Sequence, residues 1–149
     1  QRLVGMDCVN PGYLMKVVEV VKGEQTDKYV AEKIYVLWKQ MGKSPVMCKD
    51  SPGVIVNRVA RHYYLEAMKI VEQGIATFEN VDAIMEASGF KMGPFKLMDL
   101  IGMDINLSVS QSIYDAFNNA ERFKPSPLQI EKVKNGNLGR KTGKGFYEY

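Results

Sequence analysis

The chain has 149 residues, 46% of them hydrophobic and 25% charged, a composition suited to one compact globular domain and not to a disordered segment. Its net charge of +3 is too small to demand nucleic acid, although it would not oppose a phosphate-rich ligand. No apolar run approaches the roughly 20 residues that cross a bilayer, and the first residues lack a signal's apolar core, so no membrane association and a cytoplasmic location are expected.

Leu3 to Met6 and Val17 to Val21 are short, apolar and β-branched, as buried strands are, with the breakers Asn10, Pro11 and Gly12 between them. Val30, Ile34, Leu37 and Met41 then recur at helical spacing, and Gly42 can stop that helix. Val46 to Cys48 reads as another strand. Strand, helix and strand make a βαβ-like unit too small to cover both of its faces, so residues 1 to 50 are expected to be the edge of a larger sheet.

From residue 51 the pattern is helical alone. Val56, Val59, Tyr63, Ala67, Ile70 and Val71 predict one long apolar face ending at Gly74. Thr77 can cap a second helix that Gly89 ends, and Pro94 opens a third that stops at Gly102. A fourth, from about Asp104, sets Val109, Ile113, Ala116, Phe117 and Ala120 on one side. A fifth starts at Ser126 and Pro127 and runs to about Asn135. The expected fold is mainly α: a partial α/β edge over residues 1 to 50, followed by an all-α helical domain over residues 51 to 149.

Several motifs fail as chemistry. Cys8 and Cys48 lie far apart and only one histidine is present, so neither a disulfide framework nor a metal site is expected, and the thiols should be reduced. GRKTGK at Gly139 to Lys144 is one residue short of a phosphate loop and has no strand before it. No GxGxxG occurs, so the dinucleotide fingerprint is absent. His62 sits inside a helix without evident catalytic partners, the basic residues Lys132, Lys134, Arg140, Lys141 and Lys144 read as a solvated face, and Asp7 and Glu19 lie near strand ends.

Four blocks resemble one family: GMDCVNPGYLMKVVEV at residues 5 to 20, KDSPGVIVNR at 49 to 58, MGPFKLMDLIGMD at 92 to 104 and GRKTGKGFYEY at 139 to 149. In order and separation they resemble the 3-hydroxyacyl-CoA dehydrogenases, from late in the NAD domain to the C-terminus. The resemblance implies NAD as cofactor, an acyl-CoA substrate oxidised at its 3-hydroxyl, a homodimer, and a base that takes the hydroxyl proton, which in the family is a histidine oriented by a glutamate. By position Glu19 matches the orienting glutamate, Asn57 the asparagine that holds substrate at the reacting carbon, Asn10 an asparagine near substrate and cofactor, and Lys141 a tail lysine that reaches NAD. Read from the residues alone, Asn10 and Asn57 could instead satisfy turn or helix-end groups, and Lys141 could be solvated.

The departure is at the base. Where the family reads G-x-H-F-F-N-P, this chain has Gly5, Met6, Asp7, Cys8, Val9, Asn10 and Pro11, so Asp7 stands in the histidine's place. An ordinary aspartate pKa near 3.9 matches an alcohol poorly. The chain is therefore expected to be a dehydrogenase fragment that is inactive alone and does not bind NAD alone, or else a non-catalytic relative kept for CoA-thioester binding or assembly.

Overall fold

The computed structural model of the chain describes residues 2–9, 13 and 15–149, and the chain divides into two units, Gln1–Val56 and Asn57–Tyr149. The architecture is the expected one, a small α/β edge and a helical domain. Asn10, Pro11 and Gly12 lie outside the described residues.

The first unit contains strand β1 (Gly5–Cys8), strand β2 (Val17–Lys22), helix α1 (Lys28–Gln40) and strand β3 (Ser44–Lys49), with sheet order β1-β2-β3. β1 runs antiparallel to β2, and β3 runs parallel to β2 across the α1 crossover. β1 begins two residues later than its apolar run suggested. Gly5 lies opposite Val21, near the end of β2, and Leu3 instead gives its carbonyl to the Thr26 hydroxyl at 2.8 Å. Asp27 caps α1 by accepting the Tyr29 amide at 2.8 Å. Only part of the expected α1 stripe is covered, since Val30 and Ile34 are half-buried while Leu37 and Met41 remain exposed.

The second unit is built on α2 (Val56–Glu72), α3 (Phe78–Ala87), α4 (Pro94–Ile101), α5 (Met103–Ala116) and α6 (Pro127–Lys134), with short 3-10 turns at Glu121–Phe123 and Arg140–Thr142. Tyr64, Met68, Val81, Phe95, Met98, Met103 and Phe146 form its core. Thr77 caps α3, and Ser126 with Gln129 forms a reciprocal capping box on α6, as the start signals predicted. α5 stops short of Ala120 because Asn118 and Asn119 take left-handed backbone at φ 53° and 58°, a region asparagine tolerates. The inward face of α2 also differs from the predicted stripe: Val59 is 65% exposed, whereas Arg61 is 3% exposed.

Two buried aspartates organise this unit. Asp82 of α3 accepts the Phe95 amide at 2.8 Å and the Lys96 amide at 3.0 Å, so it caps α4 from a neighbouring helix. Asp99 of α4 does the same for the C-terminal segment, accepting the amides of Phe146 and Tyr147, each at 2.9 Å. Tyr147 and Tyr149 return their hydroxyls to Asp82 and Asp99 at 2.8 and 3.2 Å. Burial, and then the bond to Asp82, push the Tyr147 phenol well above its ordinary range. The GRKTGK look-alike belongs to this latch. A Cβ on Gly145 would come within 2.1 Å of Asp99 Oδ1, and one on Gly139 within 2.2 Å of the Asp99 carbonyl.

Gly145→Ala should therefore push the tail off Asp99 and leave a buried carboxylate without its amides, destabilising the protein by about 2–4 kcal/mol. Urea unfolding followed by circular dichroism measures this. A midpoint equal to the parent's would refute the latch.

Candidate functional site

The β1–β2 register sets Asp7 directly opposite Glu19. Directly opposed residues of an antiparallel pair project from one face, with Cβ atoms about 4.5–5.5 Å apart. Glu19 is 2% exposed, and its Oε1 accepts two consecutive amides, Ile55 at 2.9 Å and Val56 at 3.1 Å. Val56 is the first residue of α2. Val54, just before, is a β-branched residue at φ 46°, a strained backbone that turns the chain into these two bonds.

Alternation along the strands puts Asp7, Glu19 and Cys48 on one face of the sheet and Met6, Cys8, Val18 and Val20 on the other. The two cysteines thus point away from each other and both are free thiols. Burial, followed by the charges of Glu19, Asp7 and Asp50, pushes the Cys48 thiol up from its ordinary value.

Asn57 and Lys141 belong to the helical unit. Asn57 is half-buried in the first turn of α2, and its carbonyl accepts the Arg61 Nε at 3.3 Å. Lys141 is a placed cation: its Nζ donates to both oxygens of Asp104, at 2.5 and 2.7 Å. Gly102, at φ 102°, makes room for it, since a Cβ there would stand 3.0 Å from the ammonium. The rest of the basic tail is exposed, as expected of a solvated face, except Lys132, which is half-buried. Lys132 donates to the Gly145 carbonyl at 2.7 Å, Arg140 lies 5.2 Å from the Tyr149 ring, and Lys144 pairs with Glu148 at 3.0 Å.

His62 is exposed, lies with its ring tilted 5.2 Å from that of Phe123, and lines an open cleft of about 540 Å³ with Leu65, Lys69, Arg122 and Ile130. Asn10 lies outside the described residues. Sequence reading missed Arg61, whose only signal was a charged residue interrupting a helical apolar face.

Among the described residues no group of His, Cys, Asp or Glu could hold a metal ion, and no helix is long and apolar enough to cross a membrane. The pyrophosphate of a dinucleotide is held by free amides at a helix N-terminus after a Gly-rich turn, and at α1 the Asp27 carboxylate already occupies that position.

Residues 1–51 match the 3-hydroxyacyl-CoA dehydrogenase NAD binding domain, and residues 53–149 match the C-terminal domain of the same family. The 3-hydroxyadipyl-CoA dehydrogenase of Escherichia coli K12 is 45% identical over 100% of this chain and 32% of its own length. The mitochondrial hydroxyacyl-coenzyme A dehydrogenase of Sus scrofa is 40% identical over 99% of the chain and 48% of its own. The crystal structure of (S)-3-hydroxybutyryl-CoA dehydrogenase from Ralstonia eutropha superposes with a TM-score of 0.92 at 37% identity, covering 98% of this chain and 52% of that one. The chain belongs to the 3-hydroxyacyl-CoA dehydrogenase family, a family of oxidoreductases with an NAD-binding domain. It spans a third to a half of the length of these relatives.

The Asp104–Lys141 pair makes a pH-dependent contact. The Lys141 hydrogen bonds hold the Asp104 carboxyl below its ordinary value of 3.8. Because the folded pKa is depressed, the pair's contribution is complete above the ordinary value and fades as pH falls through the folded one. Asp104→Asn should remove that part of the acid dependence, read from melting temperatures between pH 2 and 6 and from an NMR titration of the carboxyl. Both side chains are about two-fifths exposed, so added salt should shrink the effect.

Proposed function

We propose that this chain is the C-terminal part of an NAD-dependent 3-hydroxyacyl-CoA dehydrogenase of fatty-acid metabolism, divided near residues 50 and 51 into a sheet remnant and a substrate and dimerisation domain. The observation that carries this reading is Glu19, clamped by two amides and directly opposite residue 7. In the reaction the 3-hydroxyl loses its proton to a base while hydride leaves the same carbon. The cofactor, held by the rest of the complete enzyme, supplies the hydride acceptor.

Glu19 would orient a base at position 7: one oxygen is committed to the backbone, and its cross-strand neighbour projects from the same face. An imidazole there would donate an N–H to the carboxylate. Asp7 offers no such donor when ionised, and two like charges oppose each other across the strands. Asn57 is assigned to holding the substrate at the reacting carbon. Asn10 and Lys141 are assigned to the cofactor side, with Lys141 exchanging Asp104 for the cofactor in the complete enzyme. The chain alone is expected to be inactive. Asp7 is also the observation that favours a second reading, a non-catalytic relative that binds CoA thioesters or serves assembly. The cytoplasm remains our proposed compartment, although the Sus scrofa relative is named as mitochondrial.

A chimera with a relative's NAD domain ahead of Gln1 tests the site. It should bind NAD, which the chain alone should not do in calorimetry, yet turn over 3-hydroxyacyl-CoA poorly. Asp7→His should raise kcat about 100-fold to 10,000-fold, and Glu19→Gln added to it should remove much of the gain. Full activity with Asp7 in place would mean that another base works.

Exposed Val59, Ile75, Ile84 and Ile105 leave apolar surface on the helical unit. A homodimer is accordingly expected by light scattering at micromolar concentration, and a monomer there would count against the dimerisation role.

A further inference from the structure

Arg61 is an enclosed cation without a counter-ion. It is 3% exposed, and none of the ion pairs among the described residues includes it. Its guanidinium has only neutral company: Nε donates to the Asn57 carbonyl at 3.3 Å, while one terminal nitrogen donates to the Asn106 carbonyl at 2.8 Å and the Ser110 hydroxyl at 3.0 Å. The Tyr64 ring lies 4.9 Å away. Burial lowers the Arg61 pKa to about 10, the direction expected when nothing negative compensates the charge.

The same cluster has a donor to spare. Asn106 is 1% exposed and its Nδ2 has no hydrogen-bond partner. Turning the amide over would not cure this. Asn106 Oδ1 accepts Gln129 Nε2 at 2.6 Å, and Gln129 is itself fixed because its Oε1 accepts the Ser126 amide at 3.0 Å in the α6 capping box. A flipped Asn106 would face one NH2 group with another. Ser110 cannot take the spare donor either, since its hydroxyl accepts from Arg61 and Gln129 and donates to the Asn106 carbonyl. The cluster is short of one negative charge and one acceptor. A water would supply only the second, whereas a carboxylate supplies both.

Resting on the reading of Asn57 as the residue that holds the reacting carbon, we propose that Arg61 and Asn106 receive the terminal carboxylate of a dicarboxylic acyl-CoA. Arg61 follows Asn57 by four residues on the same face of α2, an axial rise of about 6 Å. A carboxyl carbon three carbon–carbon bonds beyond the reacting carbon, at about 1.5 Å per bond, reaches that level once a hydrogen bond of about 2.8 Å is added. Asn57 is half-buried, which leaves the first turn of α2 partly open, and the long arginine stem can turn its head toward it. A plain alkyl end would leave both deficits in place.

The test compares adipyl-CoA with hexanoyl-CoA on the full chain by calorimetry, because the two differ only at the far end of the acyl group. Adipyl-CoA should bind on the order of tenfold more tightly or better, and Arg61→Met, close in volume and without charge, should bring the two affinities together. Asn106→Asp supplies a built-in carboxylate and should abolish the preference while raising the melting temperature, so the test survives if Arg61→Met does not fold. Equal affinities for the two thioesters in the parent chain would overturn this inference and leave the family reading standing. Binding of neither would overturn the CoA-thioester reading itself, and this inference with it.

Discussion

A buried carboxylate that accepts two consecutive backbone amides is the interaction on which the rest of this structure depends, and it occurs three times among the described residues. Glu19 holds Ile55 and Val56, Asp82 holds Phe95 and Lys96, and Asp99 holds Phe146 and Tyr147. In each case an ionisable side chain from one element supplies what the start of another lacks, free acceptors for amides that have no partner in their own element. The arrangement is directional and leaves little tolerance. Gly93 and Gly145 exist as glycines because a Cβ at either would come within 2.3 and 2.1 Å of the aspartate concerned.

This explains which parts of the fold could be read in advance. The five helices of the second unit announced themselves because their stops and starts are local: Thr77 and Ser126 cap their own helices, and Pro94 and Pro127 occupy first-turn positions. The caps supplied from elsewhere were invisible. Asp82 and the amide of Phe95 are 13 residues apart, and Glu19 and Ile55 are 36 apart, distances over which no spacing rule operates. Glu19 and Asp7 were named from a resemblance, and only the strand register places them opposite each other. The basic residues of the tail do form an exposed face, but the pairing of Lys141 with Asp104, 37 residues upstream, was hidden for the same reason.

Arg61 marks the limit of hydrophobic patterning more sharply. The apolar stripe of α2 predicted Val59 inside, yet the helix presents Arg61 to α5 and leaves Val59 in solvent. A guanidinium with carbonyl and hydroxyl acceptors can take an interior position that an apolar residue would ordinarily claim, provided the neighbouring helix offers those acceptors at the right level. Here Asn106 and Ser110, one turn apart on α5, do so. The polar seam between α2, α5 and α6 therefore fixes how these helices meet in a way that a wholly apolar seam, open to sliding, would not.

The latch on Asp99 also bears on the order in which the domain is made. Asp82 leaves the ribosome 65 residues before Tyr147, whose hydroxyl it accepts, and Asp99 emerges 47 residues before the amide of Phe146. Until the segment around residue 146 has been synthesised, Asp99 must keep its water, and Phe95 lacks the Phe146 ring that packs 4.7 Å from it. α3 and α4 can form early as helices, but the core they share with the tail closes only late. For an interval of synthesis the nascent domain carries an unsealed aromatic pocket, the kind of surface that chaperones recognise.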